Sequence, residues 1–140
     1  MSYEKTMGTV VHLIDDDFSV RDSTKLLLQT MGIDIRAYRS GEEFLNDANP
    51  DEARCLVVDV EMPGINGIDL IDRLREGGIM APAIFITAHG NTADLRAAAA
   101  RTGASVLLKP FKPGELIARI ENALDENRAA SASARRAGRM

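Results

Sequence analysis

Four near-continuous apolar runs recur along the chain: "TVVHLI" at 9–14, "CLVVD" at 55–59, "AIFIT" at 83–87 and "SVLLK" at 105–109. Runs this short and this rich in Val and Ile suit strands covered on both faces, which is the pattern of a parallel sheet. A fifth stretch, "IDIRAYR" at 33–39, alternates instead, with Ile33, Ile35 and Ala37 set against Asp34, Arg36 and Tyr38. Alternation implies one wet face, so this segment is expected at a sheet edge.

Helical stripes fill the gaps between the runs. Val20, Thr24, Leu27, Leu28 and Met31 repeat at helical spacing before Gly32. Ser40 can cap a short helix holding Phe44, Leu45 and Ala48, with Glu43 in the capping-box position. Ile68, Ile71 and Leu74 stripe a third helix ending near Gly77 and Gly78, and residues 91–102 carry Leu95 and the alanines 97–100 up to Gly103. Leu116, Ile117, Ile120 and Leu124 stripe the last. The order is thus βαβαβαβαβα, and such alternation with short connections demands an α/β fold with helices on both faces of a parallel sheet.

The 140 residues suffice for one core without staples. Composition divides them into an N-terminal arm at 1–8, one domain at 9–126, and a tail or helix extension at 127–140. No run approaches the roughly 18 apolar residues of a membrane span, and "MSYEKTMG" lacks a signal-peptide core, so the expectation is a cytoplasmic protein away from the membrane. A net charge of −4 speaks against direct nucleic-acid binding by the domain body, and Arg135, Arg136 and Arg139 read as a solvated end. The single cysteine, Cys55, excludes an internal disulfide and reads as a small buried residue at a strand start.

In such sheets ligands bind beyond the carboxyl ends of the strands, where strand order reverses. At those ends the sequence places Asp15-Asp16-Asp17, Asp59, Thr87 and Lys109. Crowded carboxylates want a hard divalent cation, and Mg²⁺ bound this way keeps room for phosphate oxygens. Asp59 would then be a nucleophile toward phosphorus, with Lys109 neutralising charge and Thr87 donating a hydrogen bond. Taken alone, "DDD" is equally a solvated turn or a helix N-terminus.

"LIDDDFSVR", "LVVDVEMPGINGIDLI", "IFITAHG" and "VLLKPF" together resemble the marks of two-component response-regulator receiver domains, over roughly residues 9–126. The resemblance implies a doubly wound five-stranded flavodoxin-like sheet, order 2-1-3-4-5, with five helices. It implies Asp59 as phosphoacceptor, and Asp15 and Asp16 as the Mg²⁺-holding pair, Asp16 the more direct ligand. Glu61 would lend its backbone carbonyl to the metal. Thr87 matches the switch hydroxyl, Ala88 the small residue after it, and Lys109 the phosphate-binding lysine. Pro110 matches a proline preceded by a cis bond; Pro63 and Gly64 shape the loop after Asp59, and Gly67 the turn into the next helix. The wording is most similar to the branch containing nitrogen-fixation regulators joined to helix-turn-helix domains.

One position departs from the pattern: Val106 stands where the family usually carries an aromatic ring that rotates inward on phosphorylation. Phosphorylation itself is expected to survive, with the alanine-rich helix near 97–100 moving instead. His12 reads as a satisfied, semi-buried strand residue, and His89 as a loop residue able to tune docking or the attacking water.

The implied function is a phosphorylation-switched signalling module. It takes its phosphoryl group from a sensor histidine kinase or histidine phosphotransfer protein and then changes its binding to an output protein; phosphorylation-dependent homodimerisation stays open. It is expected not to be an enzyme, catalysing only its own phosphorylation and dephosphorylation. The alternative is the receiver half of a DNA-binding regulator whose effector domain is absent here, since no helix-turn-helix pattern follows residue 126. A haloacid-dehalogenase-type phosphatase is disfavoured by Glu61 and Met62, and a flavodoxin by an acidic first loop that would repel phosphate.

Overall fold

A computed structural model describes residues 10–90 and 92–137. The expected arm at 1–8 and the residues from 138 onward lie outside the described residues. Five strands, β1 (Val10–Ile14), β2 (Asp34–Tyr38), β3 (Ala53–Asp59), β4 (Ala83–Thr87) and β5 (Ser105–Leu108), alternate with five α-helices. These are α1 (Phe18–Thr30), α2 (Gly41–Asp47), α3 (Gly67–Glu76), α4 (Ala93–Thr102) and α5 (Pro113–Ala137), and a 3₁₀ turn at Pro50–Glu52 leads into β3. Every strand pair is parallel and the order is β2-β1-β3-β4-β5. The fold is flavodoxin-like. The chain leaves β1 outward for β2, then returns to build β3, β4 and β5 on the other side, so strand order reverses between β1 and β3.

Side chains along a strand alternate between faces, and the two faces bury separate cores. Val11, Leu13, Val57, Ile84 and Ile86 meet α1 and α5 through Leu28, Leu116, Ile117 and Ile120. Ile14, Leu56, Val58 and Phe85 meet α2, α3 and α4 through Phe44, Leu70, Ile71, Leu74 and Leu95. Cys55 is fully buried within β3 rather than at its start, and burial pushes its thiol up to about 12.

β5 closes the other edge of the sheet, as the order 2-1-3-4-5 implies, and its Leu108 is exposed. Its edge is blunted by Arg119, whose guanidinium donates to the Val106 carbonyl at 2.8 Å. On β2, Tyr38 lies on the face expected to be wet but packs against the core, because Phe44 of α2 covers that end edge-on at 5.2 Å. His12 is neither semi-buried nor satisfied. It is fully buried, stacked on Tyr38 at 5.6 Å and edge-on to Phe44 at 5.5 Å, and neither ring nitrogen has a hydrogen-bond partner.

The helices start where their caps are. Asp17 caps α1 by accepting from Ser19 and Val20 N–H, Ser40 caps α2 by accepting from Glu43 N–H, and Asn66 caps α3 by accepting from Asp69 N–H. Glu43 reaches back to Arg39 N–H, one residue beyond the Ser40 N–H of the expected capping box. Leu45 and Met31, placed in apolar stripes by spacing, are exposed.

Candidate functional site

The carboxyl ends of β1, β3, β4 and β5 form one rim, and the polar groups singled out in the sequence meet there. β3 is buried along its length and ends in Asp59, which is 3 % exposed, so a rigid strand delivers this carboxylate to the rim. One Asp59 oxygen, Oδ1, accepts from the Glu61 N–H at 3.1 Å; the other, Oδ2, accepts from Lys109 Nζ at 3.3 Å. Burial raises the Asp59 carboxyl, the Asp15 charge adds to this, and Lys109 opposes it; the net effect is a pKa pushed up to about 6. Burial works against the Lys109 ammonium, but the Asp15 and Asp59 carboxylates outweigh it and its pKa lies above the ordinary value.

The acidic triplet after β1 separates into different roles. Asp17 is a helix cap, so the helix-terminus reading holds for that residue. Asp15 is fully buried; its Oδ1 accepts from Asp17 N–H at 2.9 Å, and burial raises its pKa. Its Oδ2 is buried without a hydrogen-bond partner, with Lys109 Nζ 3.9 Å away. Asp16 is exposed. One oxygen from each of Asp15, Asp16 and Asp59 lies within 4.8 Å of the others. A buried, unpaired carboxylate oxygen beside two more hard oxygens fits a small divalent cation such as Mg²⁺.

The loop after β3 is shaped by its glycines. Gly64 has φ +75°, in the left-handed region, and a Cβ there would strike Glu42, whose Oε2 accepts from the Ile65 N–H at 3.1 Å. Gly67 lies so close to β3 that a Cβ would come within 2.4 Å of the Asp59 carbonyl oxygen. Pro63, just before Gly64, is exposed. Across the rim, the Lys109–Pro110 peptide is cis and Lys109 N–H donates to the Thr87 carbonyl at 2.8 Å. Val106 is set apart from the rim: it pairs with Phe85, is half-buried, and packs against the α3–α4 core.

Sequence reasoning gave Glu61 only a backbone carbonyl. Its side chain crosses from the β3 loop to the β4 loop, where Oε2 accepts from the Thr87 hydroxyl at 2.5 Å and Oε1 accepts from the Ala88 N–H at 3.1 Å. Thr87 Oγ1 in turn accepts from the His89 N–H at 3.0 Å. No local signal announces this contact, because Glu61 and Thr87 belong to different strand ends. Arg21 was also missed; it clamps the first loop by donating to the Asp15 carbonyl at 2.8 Å.

Comparison with known proteins agrees with this geometry. Residues 11–121 match the family described as the response regulator receiver domain. The response regulator protein TodT of Pseudomonas putida is 35% identical over 118 residues, covering 84% of this chain and 52% of that protein. The transcriptional regulatory protein FixJ of Azorhizobium caulinodans is 37% identical over 115 residues, covering 81% of this chain and 54% of that protein. The solved structure of the response regulator StyR superposes with a TM-score of 0.78 at 35% identity, covering 92% of this chain and 65% of that one. The chain therefore spans about half the length of the curated relatives TodT and FixJ.

Proposed function

The chain belongs to the receiver-domain family of two-component response regulators, and from that membership we propose that it accepts a phosphoryl group on Asp59 and changes partner binding as a result. The observation that carries this reading is the meeting of Asp15, Asp16 and Asp59 within 4.8 Å, with Lys109 held 3.3 Å from Asp59. A carboxyl with a pKa near 6 is mostly ionised at neutral pH, so Asp59 is a competent oxygen nucleophile. One of its oxygens attacks phosphorus and forms an acyl phosphate. The P–N bond to a histidine on a sensor kinase or phosphotransfer protein breaks, and that imidazole takes up a proton from water.

The carboxylates of Asp15, Asp16 and Asp59, with the Glu61 backbone carbonyl, would hold Mg²⁺. When bound, Mg²⁺ supplies positive charge where negative charge gathers on the phosphoryl oxygens. Lys109 contributes a second cation from the protein side, and the Thr87 hydroxyl and Ala88 N–H are the donors able to fix the transferred group. Val106 has no ring to rotate inward, so the signal is carried by the loop after β4 and by α4. No metabolite is turned over: the chain catalyses only its own phosphorylation and the hydrolysis that reverses it. We place this module in the cytoplasm, where the kinase's phosphohistidine is presented; among the described residues no helix is long and apolar enough to cross a membrane.

A second reading has its own support. The chain corresponds to about half of FixJ, which is named a transcriptional regulatory protein, so the same module would serve as the receiver half of a DNA-binding regulator. On either reading, incubation with Mg²⁺ and acetyl phosphate followed by intact mass measurement is expected to show one alkali-labile phosphoryl adduct. Asp59→Asn abolishes it; an adduct persisting in that variant would move the nucleophile elsewhere.

A further inference from the structure

The Thr87 hydroxyl has one proton to give, and in this structure it gives it to a carboxylate of the protein itself. Glu61 Oε2 takes that proton's hydrogen bond while Oε1 takes the Ala88 N–H, and the hydroxyl's acceptor side is already engaged by the His89 N–H. Two anionic oxygens on two neighbouring donors is the arrangement a phosphoryl group on Asp59 would itself require. Glu61 is also tied to Asp59 through its own N–H on Asp59 Oδ1, so the rival acceptor and the nucleophile share one short stretch of backbone. Glu61 is exposed, so its carboxylate can swing into water without stranding a buried charge.

We propose that the Glu61 carboxylate is an internal stand-in for the phosphoryl group: it occupies the Thr87 and Ala88 donors at rest, pins the loop after β4 in its resting form, and must leave before phosphorylation is completed. This deepens the proposed function and rests on it. Glu61 is a positioning residue here, acting through Thr87 and Ala88 rather than on phosphorus. The consequence is a built-in threshold. Every phosphoryl transfer must displace one charge-assisted pair of hydrogen bonds, and every hydrolysis restores it.

The experiment compares phosphorylation by acetyl phosphate, with Mg²⁺, in wild type, Glu61→Ala and Glu61→Gln, and repeats each in a Thr87→Ala background. Glu61→Ala is expected to raise the rate on the order of tenfold, equivalent to about 1.4 kcal/mol. Glu61→Gln should fall between, since its amide keeps one acceptor oxygen but offers N–H₂ where the second was. In the Thr87→Ala background the gain should shrink to about threefold or less, because half of the latch has already gone. The same gain in both backgrounds would mean simple charge repulsion and would overturn the proposal, as would no gain in the first.

Hydrogen exchange at the Ala88 amide, measured without any phosphoryl donor, provides an independent readout: protection should fall in Glu61→Ala, and unchanged protection would sink the latch. Failure of wild type to take any adduct on Asp59 would instead overturn the functional reading, and the threshold with it.

Discussion

At the scale of single residues, His12 is the side chain whose environment fits its chemistry least. Its ring is sealed among Tyr38 and Phe44 with both nitrogens unpartnered, and a buried donor left unpaired costs about 1–3 kcal/mol. Burial lowers its pKa below 6.5; Arg36 on β2 adds to this, while Glu52 before β3 and Asp34 on β2 oppose it. The unfolded chain therefore binds a proton at a pH where the folded chain still refuses one. The stability tied to His12 is intact above about pH 6.5 and is lost as pH falls from there toward the lowered value. His12→Phe is expected to stabilise the fold by about 1 kcal/mol near neutrality, and its advantage over wild type should widen as the pH of a thermal melt is lowered. A constant or shrinking difference would contradict this account. Comparing the two proteins at each pH removes the opposite slope contributed by Asp59, whose raised pKa favours the folded state at lower pH.

At the scale of elements, the tightest constraint is the seam between β3 and α3. A Cβ at Gly67 would meet the Asp59 carbonyl oxygen at 2.4 Å and Val58 Cγ1 at 2.9 Å, both on a buried strand that cannot yield. Gly67→Ala should destabilise by about 2 kcal/mol or more. At Gly90 a Cβ would collide with Leu108 Cδ2, but Leu108 is 53 % exposed and its side chain can rotate into solvent. Gly90→Ala should therefore stay within about 1 kcal/mol of wild type. Denaturant melts of the two variants check the contrast, and equal losses would refute it.

The same reasoning explains what could be read in advance. β3 and β4 were legible because strands covered on both faces need apolar residues throughout. β5 reads the same way because hydropathy reports what a segment tolerates, not whether a sixth strand lies beside it. Asp59, Asp15, Asp16, Thr87 and Lys109 could be anticipated together because topology sends all strand ends to one rim. The crossing of Glu61 to Thr87 and the burial of His12 under Phe44 depend on how loops and a short helix close over the sheet, and no spacing along the chain records that.

At the scale of the whole molecule, a cation that binds the folded rim and not the unfolded chain stabilises the fold by mass action. At ten times its dissociation constant Mg²⁺ should add about 1.4 kcal/mol, seen as a higher melting temperature. Asp15→Asn should lose that response, since it converts the buried unpaired oxygen of the acidic cluster into an amide; a full Mg²⁺ shift in this variant would place the cation elsewhere. Global opening has a reporter of its own. The chain's single thiol, Cys55, sits at the centre of the sheet with no exposed surface, and burial keeps it protonated. A maleimide dye therefore has one target and no route to it until the sheet comes apart. Labelling at saturating dye should proceed at the rate of spontaneous unfolding, so this one sulfur turns the native molecule into a stopwatch for its own lifetime.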